Sequence, residues 1–120
     1  MATKLVVNLT RGAEDGERVT IAFLAATAAL AAGRTTKVFC TLEAVNLGLP
    51  GYAESISVPG VPALGDLFKQ FVDGGGELFI CPICFKSRGL PEGDLLPVAT
   101  LAGMTPLLEF MGDDCQTLSY

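Results

Sequence analysis

Short apolar runs alternate with helical patterns along this chain of 120 residues, and that alternation constrains its fold more than any other feature. The apolar runs have the length and composition of buried strands. They predict five strands, at Lys4–Leu9, 37–41, Glu77–Ile80, 95–99 and 116–120. Strands that alternate with helices form a mainly parallel sheet with helices on both faces. The sequence therefore predicts a single α/β domain over 1–120, a three-layer α/β/α fold with a five-stranded sheet.

The predicted helices differ in how much of their surface is apolar. An alanine-rich helix at 17–32 is apolar on nearly every side and stops at Gly33, which suits a C-cap. A third helix begins at Thr105 as its N-cap, with Pro106 at the first helical position. The segment 42–62 is predicted as a loop with at most one helical turn. The second helix has one apolar stripe and ends at glycines 74–76; the stripe consists of Leu64, Leu67, Phe68, Phe71 and Val72.

Charge and apolar length exclude two classes of partner. The formal net charge is −5, from 13 acidic and 8 basic residues, and no stretch concentrates Lys or Arg, so a nucleic-acid partner is not expected. The longest apolar run, 19–32, is shorter than the roughly 20 residues that span a bilayer. Acidic residues precede it where a secretory signal carries positive charge. The sequence thus predicts a cytoplasmic protein without a membrane partner.

The composition also predicts self-association. Half of the residues are hydrophobic, 18% are charged and the mean hydropathy is +0.48, which leaves little polar surface for so small a domain. Because one sheet face cannot cover all of the alanine-rich helix, we expect apolar surface to face another subunit.

Cysteine carries the candidate chemistry, since the chain contains four Cys and no His. Cys81-Pro82-Ile83-Cys84 lies between a predicted strand end and a helix start, where backbone N–H groups favour an anion such as a thiolate. Pro82 fits the first helical position, Cys81 the N-cap, and Cys84 lies one turn further in. Lys86 and Arg88 add positive charge nearby.

Other interpretations of the cysteines are less well supported. Cys81 and Cys84 would be inert if they were merely small buried hydrophobes. A CxxC pair is also half of a zinc site, but Cys115 is predicted at the opposite rim of the sheet and His is absent. We therefore expect no metal, and we expect Cys40 to be a buried strand residue.

The loop at 10–16 contains glycine and precedes a helix, yet its spacing matches no phosphate-binding pattern and its acidic pair would repel phosphate. It is interpreted as a turn and helix cap. Arg11 in this loop is expected to reach the Cys81 loop and contact a sulfur anion.

The segment Ile80-Cys81-x6-Arg88-Gly89-Leu90, which follows a strand, resembles the active-cysteine segment of the DsrE/DsrF-like sulfur-relay family. The likeness extends to 6–10, to Gly12 and 14–18 before the alanine-rich helix, and to a C-terminal strand. The extra Cys84 is similar to a branch of the family that carries CxxC. The resemblance implies a Rossmann-like, DsrE-like fold.

The resemblance also implies a function. In that family, a cysteine at the position of Cys81 carries sulfur as a persulfide between sulfur donor and acceptor proteins, and small sulfur species are further candidate partners. Cys84 would be the second thiol, Arg11, Lys86 and Arg88 the anion-binding charges, and no cofactor is implied. The family also implies homo-oligomers, commonly trimers or hexamers. Two alternatives stay open, a CxxC thiol-disulfide oxidoreductase and a non-catalytic binding module.

Overall fold

The computed structural model describes residues 3–120, which form one five-stranded sheet. All pairings are parallel, so the predicted mainly parallel sheet is fully parallel. The order across the sheet is β4-β3-β2-β1-β5, which leaves β4 and β5 at the two edges. The strands are β1 (Lys4–Leu9), β2 (Thr35–Cys40), β3 (Glu77–Ile80), β4 (Ala99–Leu101) and β5 (Cys115–Ser119).

Four α-helices and four short 3-10 segments connect the strands. The helices are α1 (Gly16–Ala31), α2 (Leu64–Asp73), α3 (Pro82–Ser87) and α4 (Met104–Met111). The Asp15 carboxylate caps α1 by accepting a hydrogen bond from the Arg18 backbone N–H at 3.2 Å. Beyond the other end of α1, Gly33 adopts φ +83°, a conformation that favours glycine.

One face of the sheet packs against α1 and α2 and holds most of the core. Phe23 of α1 meets the Phe71 ring edge-on at a centroid distance of 5.3 Å, and the Phe68 ring lies 5.5 Å away. Alternate strand residues such as Val7 and Val38 are fully buried beneath these rings. Four residues of the stripe predicted for α2 are therefore buried in this core, Leu64, Leu67, Phe68 and Phe71, whereas Val72 is exposed.

The opposite face is covered by α4. Val6, Phe39 and Leu107 form its small buried cluster. The ammonium of Lys37 lies 2.5 Å from the Glu77 carboxylate, and it also lies over the rings of Phe79 and Phe110, at 4.5 and 4.8 Å. This layer completes the predicted three-layer α/β/α arrangement.

Three local predictions were wrong in detail. The segment 42–62 contains two 3-10 segments, Leu42–Gly48 and Ala53–Ser55, instead of at most one turn. β4 begins at Ala99 because Pro97, which lacks an N–H group, interrupts the apolar run in which a strand was predicted. α4 starts at Met104 with Gly103 as its N-cap, so Thr105 is not the cap.

Among residues 3–120, no helix has both the length and the apolar character needed to cross a membrane.

Candidate functional site

The candidate site lies where β2, β3 and β4 end at the carboxyl edge of the sheet. The Cys81 N–H donates to the Cys40 carbonyl at 2.9 Å, which continues the pairing of β3 with β2 by one residue. On the other side, the Ala102 N–H donates to the Ile80 carbonyl at 3.0 Å. Cys81 is thus fixed between two neighbouring chain segments at the edge where ligands bind to sheets of this kind.

Cys81 is the N-cap of α3, and Pro82 occupies the first helical position. The Phe85 N–H donates to the Cys81 carbonyl at 3.0 Å, which closes the first turn and brings Cys84 onto that turn. The first N–H groups of a helix have no partner within the helix, so they can stabilise an anion held at the N-cap. Both cysteines are free and half-buried.

A single buried ring anchors α3 to the core. Phe85 is fully buried against the α1 and α2 side of the sheet, whereas Ile83 is 79% exposed. α3 ends at Ser87; Gly89 follows with φ +64°, and the Leu90 N–H donates to the Phe85 carbonyl. This turn fixes the C-terminal end of α3.

The predicted positive charges lie at different distances from the cysteines. Arg88 forms an ion pair with Glu43, with Nε 2.9 Å from Oε1, and its Nη1 donates to the Cys84 carbonyl at 3.1 Å. Lys86 lies on α3 with its ammonium 3.8 Å from Glu92 and remains mostly exposed. Arg11 is exposed beyond the end of β1, and β2 separates β1 from β3, so Arg11 and Cys81 do not follow neighbouring strands.

The other two cysteines have different surroundings. Cys40 is fully buried, and desolvation raises the pKa of its thiol far above the ordinary value. Cys115 begins β5 opposite Lys4, at the amino edge of the sheet, and partial burial raises the pKa of its thiol. Its Sγ donates to the Gln116 carbonyl at 3.3 Å. Within residues 3–120, no group of three or more Cys, Asp or Glu side chains is placed to hold a metal ion.

Exposed apolar side chains lie at the carboxyl edge. Leu42 follows β2 and is 51% exposed, Ile83 lies on α3, and Met104 at the start of α4 is 60% exposed. A Cβ atom on Gly103 would lie 3.9 Å from Cδ of Pro82, so the start of α4 adjoins the CxxC helix. We call Leu42, Ile83 and Met104 the apolar rim.

Glu43 and Ser87 were not among the residues predicted for the site. Glu43 binds Arg88, and the Ser87 hydroxyl donates to the Cys84 carbonyl at 3.1 Å. Glu43 comes shortly after β2, the strand next to β3. Knowledge of the strand order would therefore have placed Glu43 at the candidate site.

Comparison with known proteins identifies the family and several relatives of this chain. The family model described as the DsrE/DsrF-like family matches residues 3–120. An uncharacterized protein of Methanopyrus kandleri is 33% identical over 95 residues, which cover 79% of this chain and 75% of that protein. Two uncharacterized proteins of Methanocaldococcus jannaschii are 29% and 25% identical over 98% and 90% of this chain. The chain spans 99% of the first of these two and 39% of the second.

Two solved structures share the fold. The ychN protein from E. coli superimposes with a TM-score of 0.76 at 17% identity, and the alignment covers 98% of this chain and 99% of that chain. Protein MTH1491 from Methanobacterium thermoautotrophicum, described as of unknown function, gives a TM-score of 0.71 at 12% identity, with 98% of both chains covered. The family match over 3–120, together with the fully parallel sheet, shows that this chain belongs to the DsrE/DsrF-like family.

Proposed function

We propose that this protein is a sulfur-relay protein, a persulfide carrier or sulfurtransferase that accepts sulfur on Cys81 and passes it to another thiol. The observation that carries the proposal is the position of Cys81: a half-buried thiol at the N-cap of a helix, at the carboxyl edge of the sheet, in a DsrE/DsrF-like chain. A thiol placed in this way is accessible to a reactant while its backbone is fixed on both sides.

The proposed reaction is two successive displacements at sulfur. The Cys81 thiolate attacks the outer sulfur of a donor persulfide, the donor's sulfur–sulfur bond breaks, and the electron pair leaves with the donor thiolate. An acceptor thiolate then attacks the outer sulfur on Cys81 and regenerates the Cys81 thiolate. Lys86 on the same short helix and Arg88 at its C-cap supply positive charge near these anions, and Arg11, two strands away at the same sheet edge, adds a more distant charge. Thiol chemistry alone suffices, so the proposal includes no cofactor.

Cys84 allows a second reaction at the site. Its thiolate can attack Sγ of Cys81, which forms a Cys81–Cys84 disulfide and releases the outer sulfur as hydrosulfide. The position of both thiols on the first turn of α3 also favours a second candidate function, that of a thiol-disulfide oxidoreductase. If neither thiol reacts, a binding module is the remaining candidate.

The apolar rim supports a protein as donor or acceptor. Its three exposed side chains follow the ends of β2, β3 and β4 around Cys81, and exposed apolar surface of this kind marks sites where proteins associate. A partner that presents its own cysteine to Cys81 would cover the rim during transfer. Small sulfur species alone would leave the rim in water.

A homo-oligomer, as a trimer or hexamer, is also part of the proposal. An open groove of about 740 Å³ lies between α1 and the edge strand β5, lined by alanines of α1 and by Leu118, which is 43% exposed. Ile21 of α1 is 39% exposed as well. Light scattering at micromolar concentration should give a mass above that of the 12.5 kDa chain, and a monomer would refute this part.

Mass spectrometry after incubation with inorganic polysulfide tests the function. The wild type and Cys115→Ser should gain the mass of one sulfur atom, and Cys81→Ser should not gain it at that site. Equal uptake by the wild type and Cys81→Ser would contradict the proposal. Formation of a Cys81–Cys84 disulfide without any sulfur uptake would favour the oxidoreductase.

A further inference from the structure

Arg88 connects the CxxC helix to the segment that follows β2. One end of its guanidinium binds the Glu43 carboxylate at 2.9 Å, and Nη1 donates to the Cys84 carbonyl at 3.1 Å. Glu43 and Cys84 are far apart in sequence, so this contact ties the backbone of the second thiol to the neighbouring strand of the sheet. Arg88 therefore acts on the CxxC pair through Cys84. It lies at the C-terminal end of α3, whereas Cys81 lies at the N-terminal end.

The CxxC helix needs such support because it is short. α3 contains six residues, and an isolated helix of that length does not hold its own geometry in water. The Cys84 carbonyl belongs to the last turn, where carbonyls lack partners within the helix. Two side-chain donors, the Ser87 hydroxyl and the Arg88 guanidinium, bind it instead, each at 3.1 Å.

Glu43 is itself held from several sides. The preceding residue, Leu42, has φ +52°, which is unfavourable for a side chain of its shape and turns the chain sharply after β2. The Asn46 amide donates to the Glu43 carbonyl at 2.9 Å. On the β1 side, Gly12 packs so closely that a Cβ there would lie 2.8 Å from the same carbonyl oxygen. A strained turn, a hydrogen bond and a packing contact thus fix the backbone from which the carboxylate reaches Arg88.

We propose that Glu43 is a positioning residue for the CxxC pair: through Arg88 it fixes the Cys84 backbone and thereby sets the rate at which Cys84 closes a bond to Cys81. The inference rests on the proposed function for its reaction, in which the Cys84 thiolate attacks Sγ of Cys81. The new sulfur–sulfur bond joins the two cysteines, the bond from Cys81 to the outer sulfur breaks, and its electron pair leaves with that sulfur as hydrosulfide.

The closing step can be measured without any persulfide. Oxidised glutathione reacts with the Cys81 thiolate to give a mixed disulfide and one glutathione thiolate. Cys84 then displaces the second glutathione thiolate and closes the Cys81–Cys84 disulfide. Quenched-flow mass spectrometry gives the rates of both steps for the wild type, Glu43→Gln and Glu43→Ala. Asp73→Ala, which breaks an ion pair on the distant helix α2, is the matched control.

Glu43→Ala should slow closure by about three- to fivefold, the range expected for a partly exposed ion pair that positions a reacting group. Glu43→Gln keeps an acceptor for Arg88 and should restore most of the rate. The first step should change little in Glu43→Gln, Glu43→Ala and Asp73→Ala, because the Cys81 backbone is held by other hydrogen bonds. Glu43→Ala added to Arg88→Ala should slow closure no further than Arg88→Ala alone.

Closure in Glu43→Ala at the wild-type rate, or an equal slowing in Asp73→Ala, would overturn the inference. If Glu43→Ala does not fold, Arg88→Lys, which keeps the charge and loses the bridging geometry, should show the same slowing, and an unchanged rate in it overturns the inference. Failure of wild-type Cys81 to take up sulfur would refute the proposed relay. The glutathione assay would still measure the effect of Glu43 on closure, because it requires no persulfide.

Discussion

Cys81 and Cys115 are both half-buried cysteines at strand ends, yet they lie at opposite edges of the same sheet. Cys81 follows β3 at the carboxyl edge, as the N-cap of a helix that carries a second thiol and Lys86 and has Arg88 as its C-cap. Cys115 begins β5 at the amino edge beside Lys4, and partial burial raises the pKa of its thiol. Strand polarity, more than exposure, thus decides which of the two cysteines has neighbours suited to chemistry.

Alkylation gives the largest expected contrast among the cysteines. Under native conditions Cys81 should react first with iodoacetamide and Cys84 next. Cys40 should be slower than Cys81 by at least about a thousandfold, because it is fully buried and requires unfolding to react. Peptide mapping of time-quenched samples measures each rate. Labelling of Cys40 or Cys115 ahead of Cys81 would contradict the expected higher reactivity of the cysteine at the carboxyl edge of the sheet.

The anchoring of α3 should appear as a large loss of stability. Phe85→Ala removes a fully buried ring and should lower the free energy of unfolding by about 3–5 kcal/mol. Ile83→Ala on the same helix is the matched control, because its side chain is 79% exposed and should change stability by less than about 0.5 kcal/mol. Urea unfolding measures both. Similar losses in the two variants would contradict the anchoring role of Phe85.

The second thiol should shorten the life of the persulfide. With Cys84 present, its attack on Cys81 releases hydrosulfide, so the added sulfur should decay at least about tenfold faster in the wild type than in Cys84→Ser, given the proximity of the two thiols. A time course of intact mass after removal of polysulfide measures the decay. Equal lifetimes would show that the protein protects its persulfide from Cys84 and acts as a carrier.

Alkaline pH should produce the smallest effect, through Cys40. Burial raises the pKa of this thiol in the folded state, whereas in the unfolded chain it loses its proton above about pH 8.5. Above that pH the unfolded state binds fewer protons than the folded state, so the free energy of unfolding falls as pH rises, by about 1–2 kcal/mol between pH 8.5 and 10. Below pH 8.5 the thiol makes no such contribution.

Urea unfolding of the wild type and Cys40→Ala across this range isolates the effect of the thiol. The variant should lose less stability between pH 8.5 and 10, whatever its stability at neutral pH. Parallel pH profiles would show that the Cys40 thiol does not stay protonated in the folded protein.

Sequence patterns located most of the sheet and the CxxC helix. β1 and β3 have the predicted bounds, and Cys81 and Pro82 have the predicted N-cap and first positions of α3. These features depend on local apolar runs and on the fixed backbone of proline. The same local logic failed at 95–99, where Leu95 and Leu96 pack against the core from a loop and have the hydropathy of a strand.

Contacts between distant segments could not be predicted from these local patterns. The ion pair of Glu43 with Arg88 depends on β2 lying beside β3 and on the left-handed turn at Leu42, and neither feature has a local signal. The separation of Arg11 from Cys81 by β2 likewise depends on strand order. Parallel strands alone do not specify that order.

The location of newly bound sulfur tests the central claim most directly. Cys84→Ser protein, in which the persulfide should last longest, is incubated with polysulfide labelled with a heavy sulfur isotope, then alkylated, digested and mapped by mass spectrometry. We expect labelled sulfur on the peptide that contains Cys81 and at most a trace on the peptides of Cys40 and Cys115. Labelled sulfur on Cys115 at a comparable level, or none on Cys81, would refute the proposal that Cys81 accepts sulfur.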